Sequence, residues 1–326
     1  MPIDCTFVKD KKRMRYIEEL KDNERVLGHY YCKSKQSLKT KSNKTYLSLQ
    51  LQDKTGMIDA KIWELNNEIQ SFEEKDFIKI DGQVVVYNNQ YQIKISKVRK
   101  SNEGEYDERD FVPTTDKDVE NLYNKMVELI NSVSNSYIKK LLENIFVADK
   151  EVIKIVKSNS AAKSMHHGYM GGLIEHLVSV AEICDFLCTR YKHANRDIII
   201  AGALLHDIGK IYELSPFPEN DYTDDGELLG HIVMGVEIIT KEAATIDGFP
   251  KELLSLIKHC VVSHHGEYEF GSPQLPKIIE AMIVHAADNL DSKVKMYEEA
   301  LEKSDPYKTW VGFHHVLRRN LRKSSN

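Results

Sequence analysis

The chain has 326 residues, of which 41% are hydrophobic and 29% charged, values typical of soluble globular proteins. This length is enough for two ordinary domains or one large one. No run approaches the roughly 18 consecutive apolar residues of a membrane-spanning helix, and residues 1–15 lack the apolar segment of a signal peptide, so we expect a cytoplasmic protein with no membrane partner.

Charge is distributed unevenly along the chain. The net charge of −5 would by itself argue against a nucleic-acid-binding protein. However, residues 1–100 hold 20 basic and 14 acidic side chains, whereas the remainder holds 25 basic and 36 acidic ones. The asymmetry predicts a mildly basic binding module that is followed by an acidic, metal-binding one.

Residues 25–99 alternate between apolar and polar side chains, which is the pattern of β-strands. After a first strand from Arg25, the segments with this alternation are Thr45–Gln52, Met57–Trp63, Asp76–Val86 and Gln90–Val98. A short helical stretch, Glu64–Phe72, follows the third strand. Five short strands with a helix after the third is the order of an OB-fold. We therefore predict an all-β OB-fold barrel over residues 24–100, preceded by an extension of residues 1–23.

Strand parity predicts which side chains face away from the barrel interior. The apolar sets face inward, and parity adds Val86 and Tyr91 to them. The residues predicted to face outward are Tyr46, Lys61, Trp63 and Tyr87. Exposed aromatic rings stack on bases of any sequence, and the lysine-rich loop that ends at Lys44 can follow a phosphate backbone. This face predicts binding of single-stranded RNA or single-stranded DNA. Alternatively, Trp63 and Tyr87 pack against the linker or the second domain, and the lysine-rich loop is only a solvated surface.

Beyond residue 100 the apolar spacing changes to the helical period. We therefore predict a multidomain protein in which an all-α domain follows the barrel. The predicted segments are a linker at 101–118, a helical connector at 119–160, the all-α domain at 161–305 and a basic tail at 306–326.

Histidines and aspartates recur at helix ends and within apolar helices of this second domain. They are His176, the pair His206-Asp207, His231, His264 and Asp288. A lone histidine on an apolar helix is usually a core residue, but a buried carboxylate is costly unless it is paired or binds a metal. Mixed imidazole and carboxylate ligands suit Mn²⁺, Fe²⁺, Co²⁺ or Zn²⁺. The constellation therefore predicts a divalent metal site.

The order of these residues resembles the metal-binding pattern of the HD superfamily in its two-metal form. The matching residues are His176, His206-Asp207, His231, His264-His265 and Asp288. The segment His166–His176, together with LLHDIGK at Leu204–Lys210, resembles the YhaM group. These are two-domain 3′→5′ exoribonucleases with an N-terminal OB-fold. The resemblance extends from about Asn23 to Ala300 and includes the order of the domains.

The resemblance implies roles for individual residues. One metal would be held by His176, His206, Asp207 and Asp288, and Asp207 would bridge to a second metal. That second metal would be held by His231 and His264, with His265 as a further ligand, and the resemblance points to Mn²⁺. Lys210 would contact the scissile phosphate. His166 or His167 would bind phosphate or donate a proton to the leaving oxygen.

Three functions remain open from the sequence. The first is a two-metal 3′→5′ exonuclease that releases nucleoside 5′-monophosphates from single-stranded RNA, with single-stranded DNA as a further substrate. The second is a phosphohydrolase of cyclic or free nucleotides in which the OB domain is regulatory. The third is a non-catalytic nucleic-acid-binding protein with a structural metal. The sequence also leaves a homo-oligomeric state open.

Overall fold

The computed structural model describes residues 15–88, 90–163 and 167–324, so that His166 lies outside the described residues. The chain divides into two compact units, with the boundary between Pro113 and Thr114. Within the described residues, no helix is both long and apolar enough to cross a membrane.

The first unit is a closed five-stranded barrel, and it confirms the predicted OB-fold. Its strands pair in the order β1-β2-β3-β5-β4. The strands are β1 (Arg25–Lys39), β2 (Thr45–Asp53), β3 (Gly56–Ile62), β4 (Phe77–Tyr87) and β5 (Gln90–Lys100). The apolar residues of the alternating pattern fill the interior, as with Leu49 and Leu51 of β2 and Ile58, Ala60 and Ile62 of β3.

The predicted helix at Glu64–Phe72 is wrong, because this segment forms a loop against β5. The Gln70 amide donates to the Val98 carbonyl at 2.9 Å, and the Val98 amide donates to the Glu68 carbonyl at 3.1 Å. Ile69 and Phe72 pack against the barrel core. Their three-residue spacing imitates a helical period, although the backbone obtains its hydrogen bonds from a strand instead.

The predicted burial of Val86 and Tyr91 is also wrong. They lie opposite each other in the β4–β5 hairpin and are 51% and 47% exposed. The pairing of β5 with β3 involves only Gln92–Lys94, so the hairpin projects beyond the closed part of the barrel. Parity assigned these side chains to the inward face correctly, but no third strand covers that face near the turn.

The first unit is longer at both ends than residues 24–100. Leu20 lies in the barrel core, and the Ile17 amide donates to the Asp53 carboxylate at 2.6 Å. Phe111 is fully buried, with its ring centroid 5.0 Å from that of Phe77. The predicted linker at 101–118 is therefore wrong up to Pro113, because its aromatic residues bury apolar surface against the barrel.

The second unit is built from nine α-helices in the described residues. They are α1 (Val119–Asn131), α2 (Ser136–Glu143), α3 (Lys150–Ser158), α4 (Gly172–Arg190), α5 (Arg196–Leu205), α6 (Lys210–Glu213), α7 (Asp224–Ala244), α8 (Lys251–Ser263) and α9 (Ile279–Glu302). Every residue of α5 from Ile198 to Leu205 is buried, and α5 contacts α4, α8 and α9. An apolar helix of this kind is stable only in the centre of a bundle, and its C-terminal end delivers His206 and Asp207 into the core.

In its described part, which ends at residue 324, the predicted basic tail at 306–326 contains a β-hairpin. Strands β6 (Trp310–His314) and β7 (Arg319–Arg322) pair as an antiparallel hairpin that contacts α9. The strands are short, and the turn between them lacks an Asn-Gly or Asp-Gly pair. Instead, Arg318 adopts the left-handed conformation with φ of 51°. The sequence therefore offered little hairpin signal here.

Candidate metal centre and nucleic-acid-binding face

Two clusters of ligand atoms meet at the C-terminal end of α5. In the first cluster, the ligand atoms of His176, His206 and Asp288 lie within 4.8 Å of one another. His176 Nε2 is 3.2 Å from His206 Nε2 and 3.3 Å from Asp288 Oδ1. These three side chains come from α4, the end of α5 and the middle of α9, so packing of these helices assembles the cluster.

The second cluster contains His231, His264 and His265, whose ligand atoms also lie within 4.8 Å of one another. His231 follows Gly230, at which α7 is kinked with a φ of 73°. His264 and His265 follow directly after the end of α8. The second cluster thus depends on two helix termini, and the packing of α7 against α8 brings them together.

Asp207 lies between the two clusters. Its Oδ2 is 3.4 Å from both His176 Nε2 and His206 Nε2. Its Oδ1 is 3.4 Å from His231 Nε2 and 3.6 Å from His264 Nε2. Each carboxylate oxygen therefore faces a different cluster, which is the arrangement required of a ligand that bridges two cations.

Unsatisfied polar atoms at the site also support metal binding. Among the described residues, Asp207 Oδ1 and His231 Nε2 are buried polar atoms without a hydrogen-bond partner. Leaving such an atom unsatisfied costs about 1–3 kcal/mol, whereas a cation between them would satisfy both. Metal–nitrogen bonds of about 2.0–2.1 Å place neighbouring ligand atoms about 3.0–3.4 Å apart, which is close to the separations observed here.

Five histidines are held in the orientation that metal binding needs. In each of them Nδ1 lies within hydrogen-bond distance of a carbonyl or carboxylate oxygen, which can only accept a hydrogen bond, so Nε2 is the ring nitrogen that faces the centre. The pairs are His176 with Asp291 (2.8 Å), His206 with Ala203 O (2.8 Å), His231 with Glu213 (2.9 Å), His264 with Val261 O (2.7 Å) and His265 with Phe270 O (2.8 Å).

The electrostatics favour neutral imidazole at the second cluster and an ionised carboxylate between the clusters. Burial, together with the neighbouring His206, lowers the pKa of His264 well below its ordinary value. Burial by itself would raise the pKa of Asp207, but Lys210 and His206 outweigh it and lower that pKa well below the usual range. Both ligands therefore have the protonation state in which they bind a cation.

A model of the HD domain matches residues 173–293, and a model of the OB-fold nucleic acid binding domain matches residues 32–100. The chain is 38% identical over 267 residues to the 3′-5′ exoribonuclease YhaM of Geobacillus sp. (strain WCH70), covering 81% of both proteins. The chain belongs to the YhaM family. Among solved structures, the second OB-fold domain of replication protein A from Methanococcus maripaludis is similar over 28% of this chain and 98% of that domain, at 18% identity and a TM-score of 0.23.

Two residues that the sequence reasoning missed hydrogen-bond to histidines of the candidate metal centre of this YhaM-family protein. Asp291 accepts hydrogen bonds from His176 Nδ1 and, at 3.1 Å, from His167 Nε2. Glu213 accepts from both the amide and Nδ1 of His231, each at 2.9 Å. Asp291 lies one helical turn beyond Asp288, a spacing that could have indicated it. No sequence signal links Glu213 to a residue 18 positions away.

Lys210 and His167 both lie at the centre but contact protein groups there. Lys210 Nζ donates a hydrogen bond to Asp207 Oδ2 at 2.6 Å. His167 is buried behind His176, with 5.3 Å between their ring centroids, and the Tyr169 hydroxyl lies 3.0 Å from its Nδ1. Burial lowers the pKa of His167. The contacts of Lys210 and His167 with a phosphate group therefore stay predictions.

On the barrel, two side chains of the predicted aromatic face contact each other. The rings of Tyr46 and Trp63 stack on each other with centroids 4.6 Å apart. Two positions further along the same strands, Lys61 is paired with Ser48, and its Nζ donates to Ser48 Oγ at 2.5 Å. Lys44 is exposed and lies 3.7 Å from the Glu64 carboxylate, and Tyr87 is exposed on the projecting hairpin. Trp63 thus packs on a neighbouring aromatic ring of the same face.

Proposed function

We propose that this protein is a metal-dependent 3′→5′ exonuclease that hydrolyses single-stranded RNA to nucleoside 5′-monophosphates, with single-stranded DNA as a second substrate. The observation that carries the proposal is the position of Asp207, whose two oxygens each face a separate cluster of imidazole nitrogens. Membership of the YhaM family and the match to an OB-fold nucleic acid binding domain support it.

In this proposal the centre holds two divalent cations. His176, His206 and Asp288 would hold the first, His231, His264 and His265 the second, and Asp207 would join both. The donor set of imidazole and carboxylate suits Mn²⁺, and also Fe²⁺, Co²⁺ or Zn²⁺. When bound, a pair of such cations supplies Lewis-acid stabilisation to a phosphoryl group and lowers the pKa of water.

The protein's own groups would position the reacting phosphodiester. The fixed Nδ1 hydrogen bonds hold the imidazoles in place, so that no reorganisation is needed during reaction. The Lys210 ammonium group, beside Asp207, would stabilise negative charge on the scissile phosphate. His167, or His166, would donate a proton to the leaving oxygen. For His167 this requires a movement of its ring away from Asp291.

A direct test uses a 20-nucleotide single-stranded RNA labelled at its 5′ end and incubated with the full-length protein and Mn²⁺. We expect a ladder that shortens one nucleotide at a time, and nucleoside 5′-monophosphates as the only small product. The same RNA labelled at the 3′ end should release its label in the first turnover. Internal cleavage, or no cleavage with any of Mn²⁺, Fe²⁺, Co²⁺ and Zn²⁺, would contradict the proposal.

The stacked pair on the barrel predicts a binding defect that is separate from chemistry. The double change Tyr46→Ala with Trp63→Ala removes both ring faces, and stacking contributes about 1–3 kcal/mol per base. We expect KM for the 20-nucleotide RNA to rise at least about tenfold. Hydrolysis of bis(p-nitrophenyl) phosphate, which presents no strand to the barrel, should not change.

The matched control for this prediction is Met57→Ala. Met57 lies on β3, the strand that Trp63 directly follows, and is exposed, but it offers no aromatic face. It should leave KM for the RNA within about twofold. An unchanged KM in the double variant, with an unchanged melting temperature, would show that the stacked pair does not contribute to RNA binding.

A further inference from the structure

The C-terminal hairpin has one face that is both aromatic and basic. Trp310 pairs with Arg322, and Phe313 pairs with Asn320, so these four side chains share a face. Trp310 is 58% exposed and Phe313 is 55% exposed. On the other face, Leu321 is buried. The hairpin is therefore anchored by one face and presents its aromatic rings on the other.

The charge of this segment differs from that of the rest of the chain. Residues 306–326 contain five basic residues and no acidic one, in a protein whose net charge is −5. Within the part of the chain that the structure describes, the hydrogen bonds of Arg319 and Arg322 go to the carbonyls of Leu317 and Lys323. Neither guanidinium is within 4 Å of a described carboxylate, so both retain donors for an anionic partner.

We propose that this face, consisting of Trp310, Phe313 and Arg322, binds single-stranded nucleic acid. The bases would stack on the two rings, and the guanidinium group of Arg322 would contact a phosphate. Exposed aromatic rings interleaved with unpaired basic groups are how proteins bind single strands without sequence preference. This inference rests on the proposed function, because it assigns a second contact to the same substrate.

The position of the hairpin sets how long a strand must be to reach it. Asp288 of the metal centre and Glu302 at the end of α9 are separated by 14 residues of helix, or about 21 Å at 1.5 Å per residue. The hairpin contacts α9 and follows its end. A stacked strand advances about 3.4 Å per nucleotide, so the hairpin would meet a strand about six nucleotides from the 3′ end held at the metal centre.

A second copy of the chain fits this face less well. A two-fold contact places the same surface of both protomers together. Here it would oppose two copies of residues 306–326, each with five basic residues and no acidic one, and such like-charge contacts are unfavourable. Charge therefore favours nucleic acid as the occupant.

The test compares the full-length protein with its double variant Trp310→Ala and Phe313→Ala on two 5′-labelled RNAs of 3 and 20 nucleotides. We expect KM for the 20-nucleotide RNA to rise at least about tenfold, since each lost stacking contact costs roughly that factor. Turnover of the trinucleotide and of bis(p-nitrophenyl) phosphate should stay unchanged. In Arg322→Gln, the slope of log Kd against log salt should fall by about 0.7, the value for one phosphate contact on a single strand.

Phe186→Ala is the matched control, because Phe186 is an exposed aromatic residue of α4 that follows the acidic Asp185 in the sequence and is not part of the basic segment 306–326. It should not alter KM for either RNA. An unchanged KM for the 20-nucleotide RNA in the double variant overturns the proposal. A change in molar mass by light scattering that accompanies the rise in KM would overturn it in favour of self-association. If the wild-type protein degrades no RNA, the proposed function fails, and fluorescence anisotropy with the intact 20-nucleotide RNA still decides whether the hairpin binds it.

Discussion

Replacement of Asp207 by asparagine is expected to lower the rate of phosphodiester hydrolysis by about a thousandfold. Asparagine keeps the shape of the side chain but has one oxygen and no charge, so it can no longer face both clusters as a ligand. Bridged cations stabilise the transition state by several kcal/mol, and each 1.36 kcal/mol corresponds to a factor of about ten in rate. The measurement is the initial rate of ladder formation on 5′-labelled RNA with saturating Mn²⁺.

Elemental analysis of the same samples tests the bridging role directly. The wild-type protein should hold two metal ions per chain, and Asp207→Asn should hold one or none. The change also leaves Lys210, whose Nζ lies 2.6 Å from Asp207 Oδ2, without its counter-charge in a buried position. The loss of one partner of such a pair is destabilising by about 3–5 kcal/mol.

A second variant separates catalysis from folding. Asp207→Asn combined with Lys210→Met removes both charges of the pair, which is often neutral for stability. We expect it to recover most of the melting temperature without recovering activity. Near-normal rates or two bound ions per chain in a folded Asp207→Asn variant would show that Asp207 does not join the clusters.

Gly209→Ala is expected to damage the second cluster through a single added methyl group. A Cβ at this position would lie 1.9 Å from the His231 carbonyl oxygen and 2.7 Å from the Gly235 amide nitrogen. Both are backbone atoms of α7, so the helix that carries His231 must shift. Overpacking of this kind costs about 1–3 kcal/mol or more, and a misplacement of 1 Å can lower a rate about a hundredfold.

The backbone conformation of Gly209 makes this prediction specific. Its φ is −62°, which alanine adopts without strain, so the expected loss comes from the collision alone. The measurements are the melting temperature, the rate of RNA hydrolysis and the number of bound metal ions. We expect a lower melting temperature and loss of the ion held by His231, His264 and His265.

Gly235→Ala is the matched control from the opposite side of the same contact. Its added Cβ would lie 3.5 Å from both the Gly209 amide nitrogen and Ile208 Cγ2, which is ordinary van der Waals contact. Alanine within a helix is favoured over glycine by up to about 1 kcal/mol, so this variant should be as stable as the wild type or more so. Equal effects of the two substitutions would mean that helix propensity, and not the close approach of α6 to α7, decides the outcome.

The amino-acid sequence by itself determined those features that depend on local periodicity. The alternation in Thr45–Gln52 and Met57–Trp63 predicted β2 and β3. The apolar run Ile198–Leu205 predicted a buried helix that ends at His206-Asp207. The order of histidines and aspartates carried the resemblance to the HD superfamily, and the family models and the YhaM relative support it. The first two signals lie within a few residues of chain, and the third depends only on the order of residues along it.

Other features depended on packing between distant segments, and only the tertiary structure decided them. The segment Glu64–Phe72 has a helical spacing but obtains its hydrogen bonds from Val98. Tyr91 has the parity of a core residue but no strand covers it. His176 meets Asp291 across 115 residues. Residue periodicity identifies the face of an element, whereas burial and partners depend on what the rest of the chain places against that face. For that reason the sequence predicted the candidate metal ligands, and only the fold showed which side chains, such as Asp291 and Glu213, hydrogen-bond to them.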